Sequence, residues 1–297
     1  MMRPHRYVVF VLLSGCAATP AAMRAADSAS LTQADADRVA AEYRRRVEPD
    51  PRRAPRSLDD VVEALRRDRL ADFPAAYGFT VEHAGDPGAL ALGAQLQLAW
   101  GEDQLIVAEI LAHEVERSPE RVRAEIGDVR GALARDARGH LDLGMQLARE
   151  IIAASPADYH GYRVAADYDR IVGDWAGFDR DLARLEALDP QSNGYLFLRG
   201  MEQLSRRHDR RRAESFFRKA LARDPKFARA EVQLLLARGG IDAEYDDYRR
   251  LKAVSPEHQI VEWLGPFIER QHTERAADDW RRESFERDLT EELVLRR

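Results

Sequence analysis

Apolar residues recur three or four positions apart over the last two thirds of the chain, and this spacing predicts a succession of amphipathic α-helices. In the clearest segment Ala213 and Phe217 share one helical face, and Ala220 continues that face one turn later. Pro225 follows after a predicted tight turn, and its fixed φ suits the first turn of the next helix. A turn between the two helices of one pair is predicted at Gly173. The pattern therefore predicts an all-α fold built from helix pairs.

A Ser-Pro or Asp-Pro dipeptide marks each predicted turn between helix pairs. The prolines follow one another at intervals of 37, 34, 35 and 31 residues, and they are Pro119, Pro156, Pro190, Pro225 and Pro256. A recurrence near 34 residues in a helical pattern is typical of tetratricopeptide repeats, and segment 89–270 resembles that family. The resemblance implies an α-solenoid of helix-turn-helix repeats. A helical and irregular region over 31–88 would precede the repeats, and a capping helix over 271–297 would follow them.

The resemblance also implies where a partner binds, because the first helix of each repeat in this family lines a concave inner surface. On this sequence the corresponding positions are Arg163, Asp167 and Arg170 in one repeat, and Phe197 and Met201 in the next. Charged side chains beside apolar ones would suit a protein or peptide partner with an acidic end. The alternative for Phe197 is a place in the hydrophobic core.

The stretch before the repeats has the weakest periodicity of the chain. Residues 79–81 fit a short extended piece, although a lone strand has nothing to pair with. Phe73, Tyr77 and Phe79 are candidates for a pocket in an alternative function, in which this region and the first repeat bind a small molecule or a glycan. A further alternative is an enzyme whose active site lies before the repeats.

The N-terminus has the pattern of an export signal: a basic start, an apolar run over residues 7–13 and a small-residue exit that ends at Cys16, the only cysteine. The apolar run is too short to span a bilayer, which takes about 20 residues. The sequence Leu-Ser-Gly-Cys resembles the lipobox of bacterial lipoproteins, which implies removal of a signal peptide, 1–15, and lipid attachment at Cys16. Residues 16–30 would form a flexible tether. In Gram-negative lipoproteins an aspartate directly after the cysteine tends to retain the protein at the inner membrane. This chain has Ala17 there, so the resemblance implies an outer-membrane protein that faces the periplasm.

Composition narrows the function classes. The 297-residue chain has a formal net charge of −6, which argues against nucleic-acid binding because such binding depends on basic surface. With Cys16 acylated, no thiol remains for a disulfide, a zinc site or nucleophilic catalysis. The eight histidines are dispersed, and no nucleophile elbow or phosphate-binding loop is present. We therefore expect no cofactor, metal or catalytic residue, and a protein-interaction scaffold in the cell envelope rather than an enzyme.

Overall fold

A computed structural model describes residues 50–115, 120–237 and 241–258, together with six isolated positions between 261 and 273. These residues form helices and turns with no β-strand among them, so the predicted all-α class is confirmed. The signal peptide 1–15, the tether 16–30 and nearly all of the capping helix 271–297 lie outside the described residues. The predicted turn at Pro119 also lies outside them.

The described part of the chain holds ten α-helices, preceded by one turn of 3₁₀ helix at Pro51–Arg53. Short turns join most of them. In chain order the helices are α1 Leu58–Arg67, α2 Phe73–Glu82, α3 Pro87–Val115, α4 Glu120–Ala154, α5 Tyr159–Val172, α6 Trp175–Leu188, α7 Asn193–Ser205, α8 Arg210–Arg223, α9 Ala228–Ala237 and α10 Ile241–Val254.

The turns lie where the recurrent prolines predicted them. α4 ends at Ala154, α6 at Leu188, α8 at Arg223 and α10 at Val254, each directly before a Ser-Pro or Asp-Pro dipeptide. Proline has no N–H to donate and disfavours helical backbone at the residue before it, so these dipeptides end a helix. The predicted turn at Gly173 is also confirmed. Its φ of +80° is a left-handed conformation that glycine adopts without steric cost.

The stretch before α3 is more regular than the sequence indicated. α2 covers Phe73–Glu82, so the extended piece predicted at residues 79–81 was wrong. A lone extended segment would leave backbone donors and acceptors unpaired, whereas a helix satisfies them internally. The side chains of Phe73, Ala76 and Thr80 are buried on one helical face, and this burial stabilises the helix.

Consecutive helices pack as hairpins: α3 with α4, α5 with α6, α7 with α8, and α9 with α10. The odd-numbered helices also contact one another, α1 with α3, α3 with α5, and α5 with α7. We call these helices, together with α9, the inner layer, and we call α4, α6, α8 and α10 the outer layer. Hydrophobic clusters hold the layers together, and the cluster that joins α6, α7 and α8 contains the fully buried Phe178, Leu185 and Phe217.

The two ends of this helical arrangement meet. α9 contacts α1, and the Arg53 guanidinium donates two hydrogen bonds to the Glu257 carboxylate, at 2.9 and 3.2 Å. The Ser255 hydroxyl donates to the backbone carbonyl oxygen of Arg66 at 3.1 Å. The inner layer therefore closes on itself and brings together residues that are distant in the sequence.

Candidate functional site

Four charged side chains from three inner helices form one group, which we call the inner ion cluster: Glu102 of α3, Asp167 and Arg170 of α5, and Arg229 of α9. Arg170 Nη2 lies 2.7 Å from both Glu102 Oε1 and Asp167 Oδ1. Arg229 lies 2.9 Å from Glu102 Oε2 and 3.2 Å from Asp167 Oδ2. Each arginine bridges both carboxylates, so the cluster links helices that are far apart in sequence.

Two members of the cluster are buried and the other two, Glu102 and Arg229, are half-buried, and the four charges hold one another ionised. The side chains of Asp167 and Arg170 are each 8% exposed. Burial alone would raise the pKa of Asp167, but the neighbouring Arg170, Arg229 and Arg163 hold it at about 2. Burial alone would lower the pKa of Arg229, but Asp167 and Glu102 raise it. Removing one arginine would leave the two carboxylates to share a single cation, which is costly because Asp167 is buried.

Arg163 borders the inner ion cluster one turn earlier on α5. Its stem lies across Gly194 at the start of α7, where an added Cβ would stand 2.6 Å from Arg163 Cδ. Only a residue without a side chain leaves this space, so Gly194 positions the arginine. Burial lowers the pKa of Arg163, and the neighbouring Arg229 adds to this, whereas Tyr159 and Asp167 act in the opposite direction.

The two apolar residues assigned to the partner site lie in the core. Phe197 is 3% exposed and Met201 is 6% exposed. The Phe197 ring centroid lies 5.8 Å from that of Phe217 and 5.4 Å from that of Phe227, and the Arg229 guanidinium lies over its face at 5.0 Å. The alternative that the sequence left open for Phe197 describes its position, and neither side chain offers surface to a partner.

The structure thus brings Arg163, Asp167 and Arg170 together on the inner layer, but Asp167 and Arg170 already have ionic partners within the chain. Those partners, Glu102 and Arg229, were missed by sequence reasoning. Glu102 stands 68 residues from Arg170, and Arg229 stands 62 residues from Asp167, and no local spacing marks an ion pair over such distances. The inner positions of these helices are therefore occupied by the chain itself.

A groove opens on the other side of α5, between α4 and α6, and we call it the outer groove. Its volume is about 570 Å³, and its surface is mostly apolar. The groove has a floor from α5 and walls from α4 and α6. Its lining residues are Met145, Arg149 and Ile152 from α4, Tyr162 and Ala165 from α5, and Arg180, Asp181, Ala183, Arg184 and Ala187 from α6.

Three arginines stand at the edge of the outer groove. Arg184 donates to the backbone carbonyl oxygen of Pro156 at 3.2 Å, and its guanidinium lies 5.6 Å from the centroid of the Tyr162 ring. The side chain of Arg180 is 70% exposed, and its Nε lies 3.3 Å from Asp181 Oδ1. Arg149 is exposed on the opposite wall. Sequence reasoning missed this groove because its lining comes from three helices.

The aromatic residues of α2 belong to a core rather than to an open pocket. Phe73 is fully buried, and its ring centroid lies 6.3 Å from that of Trp100 on α3. Tyr77 and Phe79 are half-buried against the same hydrophobic cluster. These contacts join α2 to α3, and they leave the three side chains packed against the protein.

Within the described ranges no group of three or more His, Cys, Asp or Glu side chains is arranged to hold a metal ion. None of the described helices combines the length and the apolar character needed to cross a bilayer. Cys16, the predicted lipidation site, lies outside the described residues. Comparison of the chain with models of known protein families and with curated proteins gives no significant match.

Proposed function

We propose that the protein is a lipoprotein of the cell envelope, held at the outer membrane by lipid on Cys16 and facing the periplasm. In this proposal the helix pairs are tetratricopeptide-like repeats of an α-solenoid, which serves as a non-catalytic scaffold for a protein or peptide partner. The Leu-Ser-Gly-Cys sequence supports the anchor. The regular turns between helix pairs support the repeats.

The observation that carries the scaffold function is the outer groove, an accessible apolar surface between two neighbouring helix pairs. A scaffold needs surface that a partner can reach, and the inner ion cluster already fills the inner positions of α3, α5 and α9. The alternative of small-molecule or glycan binding before the repeats loses its main support, because Phe73 lies in the core.

The membrane anchor is tested by replacing the acylated residue. We expect Cys16→Ser to abolish incorporation of labelled palmitate and to release the protein from the membrane fraction. Labelling and fractionation of cells that express the two forms measure both effects. A variant that stays in the membrane fraction without label would show that something other than lipid on Cys16 holds the protein there.

The scaffold function is tested by photo-crosslinking in cells. A photoreactive amino acid is placed at exposed helix positions, among them Ala183 in the outer groove and Ala222 on α8. We expect a discrete protein adduct from at least one position, identified by mass spectrometry. Absence of a protein adduct from every position tested on α4, α6, α8 and α10 would contradict a scaffold.

A further inference from the structure

We propose that the outer groove binds an acidic amphipathic helix of the partner, with apolar side chains on the groove floor and carboxylates at Arg149, Arg180 and Arg184. This inference rests on the proposed scaffold function and specifies the chemistry of its partner.

The shape of the groove suits side chains rather than a flat surface contact. Tyr162 and Ala165 of α5 form the floor, and the α6 wall carries the small side chains of Ala183 and Ala187. Two small residues one turn apart on the same wall leave room for a neighbouring helix to approach. A helix lying in an apolar groove uses side chains at positions i, i+3, i+4 and i+7 as its anchors.

The charge at the edge is opposite in sign to that of the whole protein. The chain has a net charge of −6, whereas the groove has three arginines and one carboxylate, Asp181. A groove with excess positive charge in an acidic protein favours an acidic partner and disfavours a basic one, since like charges facing each other are costly. The chemistry selected is therefore a carboxylate-bearing segment.

The arginines retain donors for such a segment. The Arg184 guanidinium has five N–H groups, and its contact with the Pro156 carbonyl oxygen uses one nitrogen. The packing of Arg184 over Tyr162 limits its rotamers, so less side-chain entropy is lost when a carboxylate binds. Arg180 is largely exposed, and its bonds to Asp181 use Nε and Nη2 at the long distances of 3.3 and 3.4 Å. Arg149 is exposed on the facing wall, so carboxylates on both sides of a bound helix would have a guanidinium nearby.

The test uses the full chain with Cys16→Ser, so that no acyl chain contributes to binding. The probe is a short fluorescent helical peptide with leucines on one face and glutamates beside them, and its binding is measured by anisotropy. We expect Arg149→Glu and Ala187→Trp each to weaken binding at least about tenfold, through charge repulsion and through filling of the groove. The matched controls Arg211→Glu and Ala222→Trp, at exposed positions on α8, should leave binding unchanged.

Three results of the binding experiment would overturn the proposal. One is equal binding of a peptide with glutamine in place of every glutamate, and another is unchanged binding by the two groove variants when their thermal unfolding curves are normal. The third is binding of phosphatidylglycerol vesicles that depends on Arg149 while the acidic peptide fails to bind, which would assign the groove to lipid headgroups. Protein adducts from Ala222 but none from Ala183 would leave the scaffold function standing without this site.

Discussion

Replacing Gly200 with alanine tests the packing of α7 against α8 with one added carbon atom. A Cβ at this position would lie 2.4 Å from Cε1 of Phe217, 2.7 Å from Cδ1 and 3.0 Å from Cζ. Phe217 is fully buried, with the Phe197 ring centroid 5.8 Å from its own. Because the ring has no solvent to move into, the added methyl group must displace one helix from the other. We expect Gly200→Ala to destabilise the protein.

The magnitude follows from two opposing effects. Overpacking a close-packed core costs about 1–3 kcal/mol of stability. The added Cβ would lie closer to the Phe217 ring than Cβ atoms in proteins lie to their neighbours, so we expect a cost near the upper end of this range. Alanine is favoured over glycine inside a helix by about 1 kcal/mol. We therefore expect the free energy of unfolding to fall by about 1–2 kcal/mol.

Urea unfolding followed by circular dichroism measures this difference, and Gly139→Ala on α4 is the matched control. Gly139 is exposed, and a Cβ there would have nothing within 4 Å. Only helix propensity then changes, so Gly139→Ala should raise the free energy of unfolding by about 0.5–1 kcal/mol. If Gly200→Ala stabilises the protein as Gly139→Ala does, the close contact between α7 and Phe217 does not exist.

Three further predictions concern buried side chains. Phe217→Ala should lower the free energy of unfolding by about 3–5 kcal/mol, and an unchanged urea midpoint would contradict the burial of this ring. Burial, then the neighbouring Asp181 and Asp174, raise the pKa of Asp169 to about 6 from the ordinary value of 3.8. At a pH between these two pKa values the folded state binds more protons than the unfolded state, so the free energy of unfolding should fall as pH rises through about 4–6. Asp169→Asn should remove that part of the pH dependence of unfolding. Arg229→Met should cost about 3 kcal/mol in urea unfolding because it leaves Glu102 and Asp167 with a single cation, and a loss under 1 kcal/mol would mean that the ion pairs contribute little.

Helix boundaries could be predicted from the sequence because their signals are local. Helices end at the dipeptides that contain Pro156, Pro190, Pro225 and Pro256. Proline lacks the backbone N–H that a helix needs and disfavours helical backbone at the residue before it, and both effects are independent of distant residues. The burial of Phe217 followed in the same way, from apolar residues spaced three and four apart. Because local backbone geometry and residue spacing determine these features, they could be predicted from the sequence alone.

Features that depend on distant residues could not be predicted. From its spacing in the sequence, Phe197 could belong either to the inner surface or to the hydrophobic core. Its contacts with Phe227 and Arg229, which are distant in the sequence, place it in the core. The helical state of residues 79–81 depends on burial of α2 against α3, which no window of sequence records. The outer groove is a gap between helices, and its size depends on how two hairpins pack.

Closure of the inner layer changes where a partner can bind. Arg229 joins α9 to α3 and α5, so opening the inner layer would separate the Arg229 guanidinium from Glu102 and Asp167 and leave the two carboxylates with Arg170 alone. A partner at the inner positions would have to supply both replacement carboxylates and the free energy of that separation. A partner in the outer groove disturbs none of these contacts, since the groove lies on the opposite side of α5 and is open. The preference for the outer face thus follows from the ion pairs on the inner one, and Arg229→Met, which weakens closure, should leave binding of the acidic peptide unchanged.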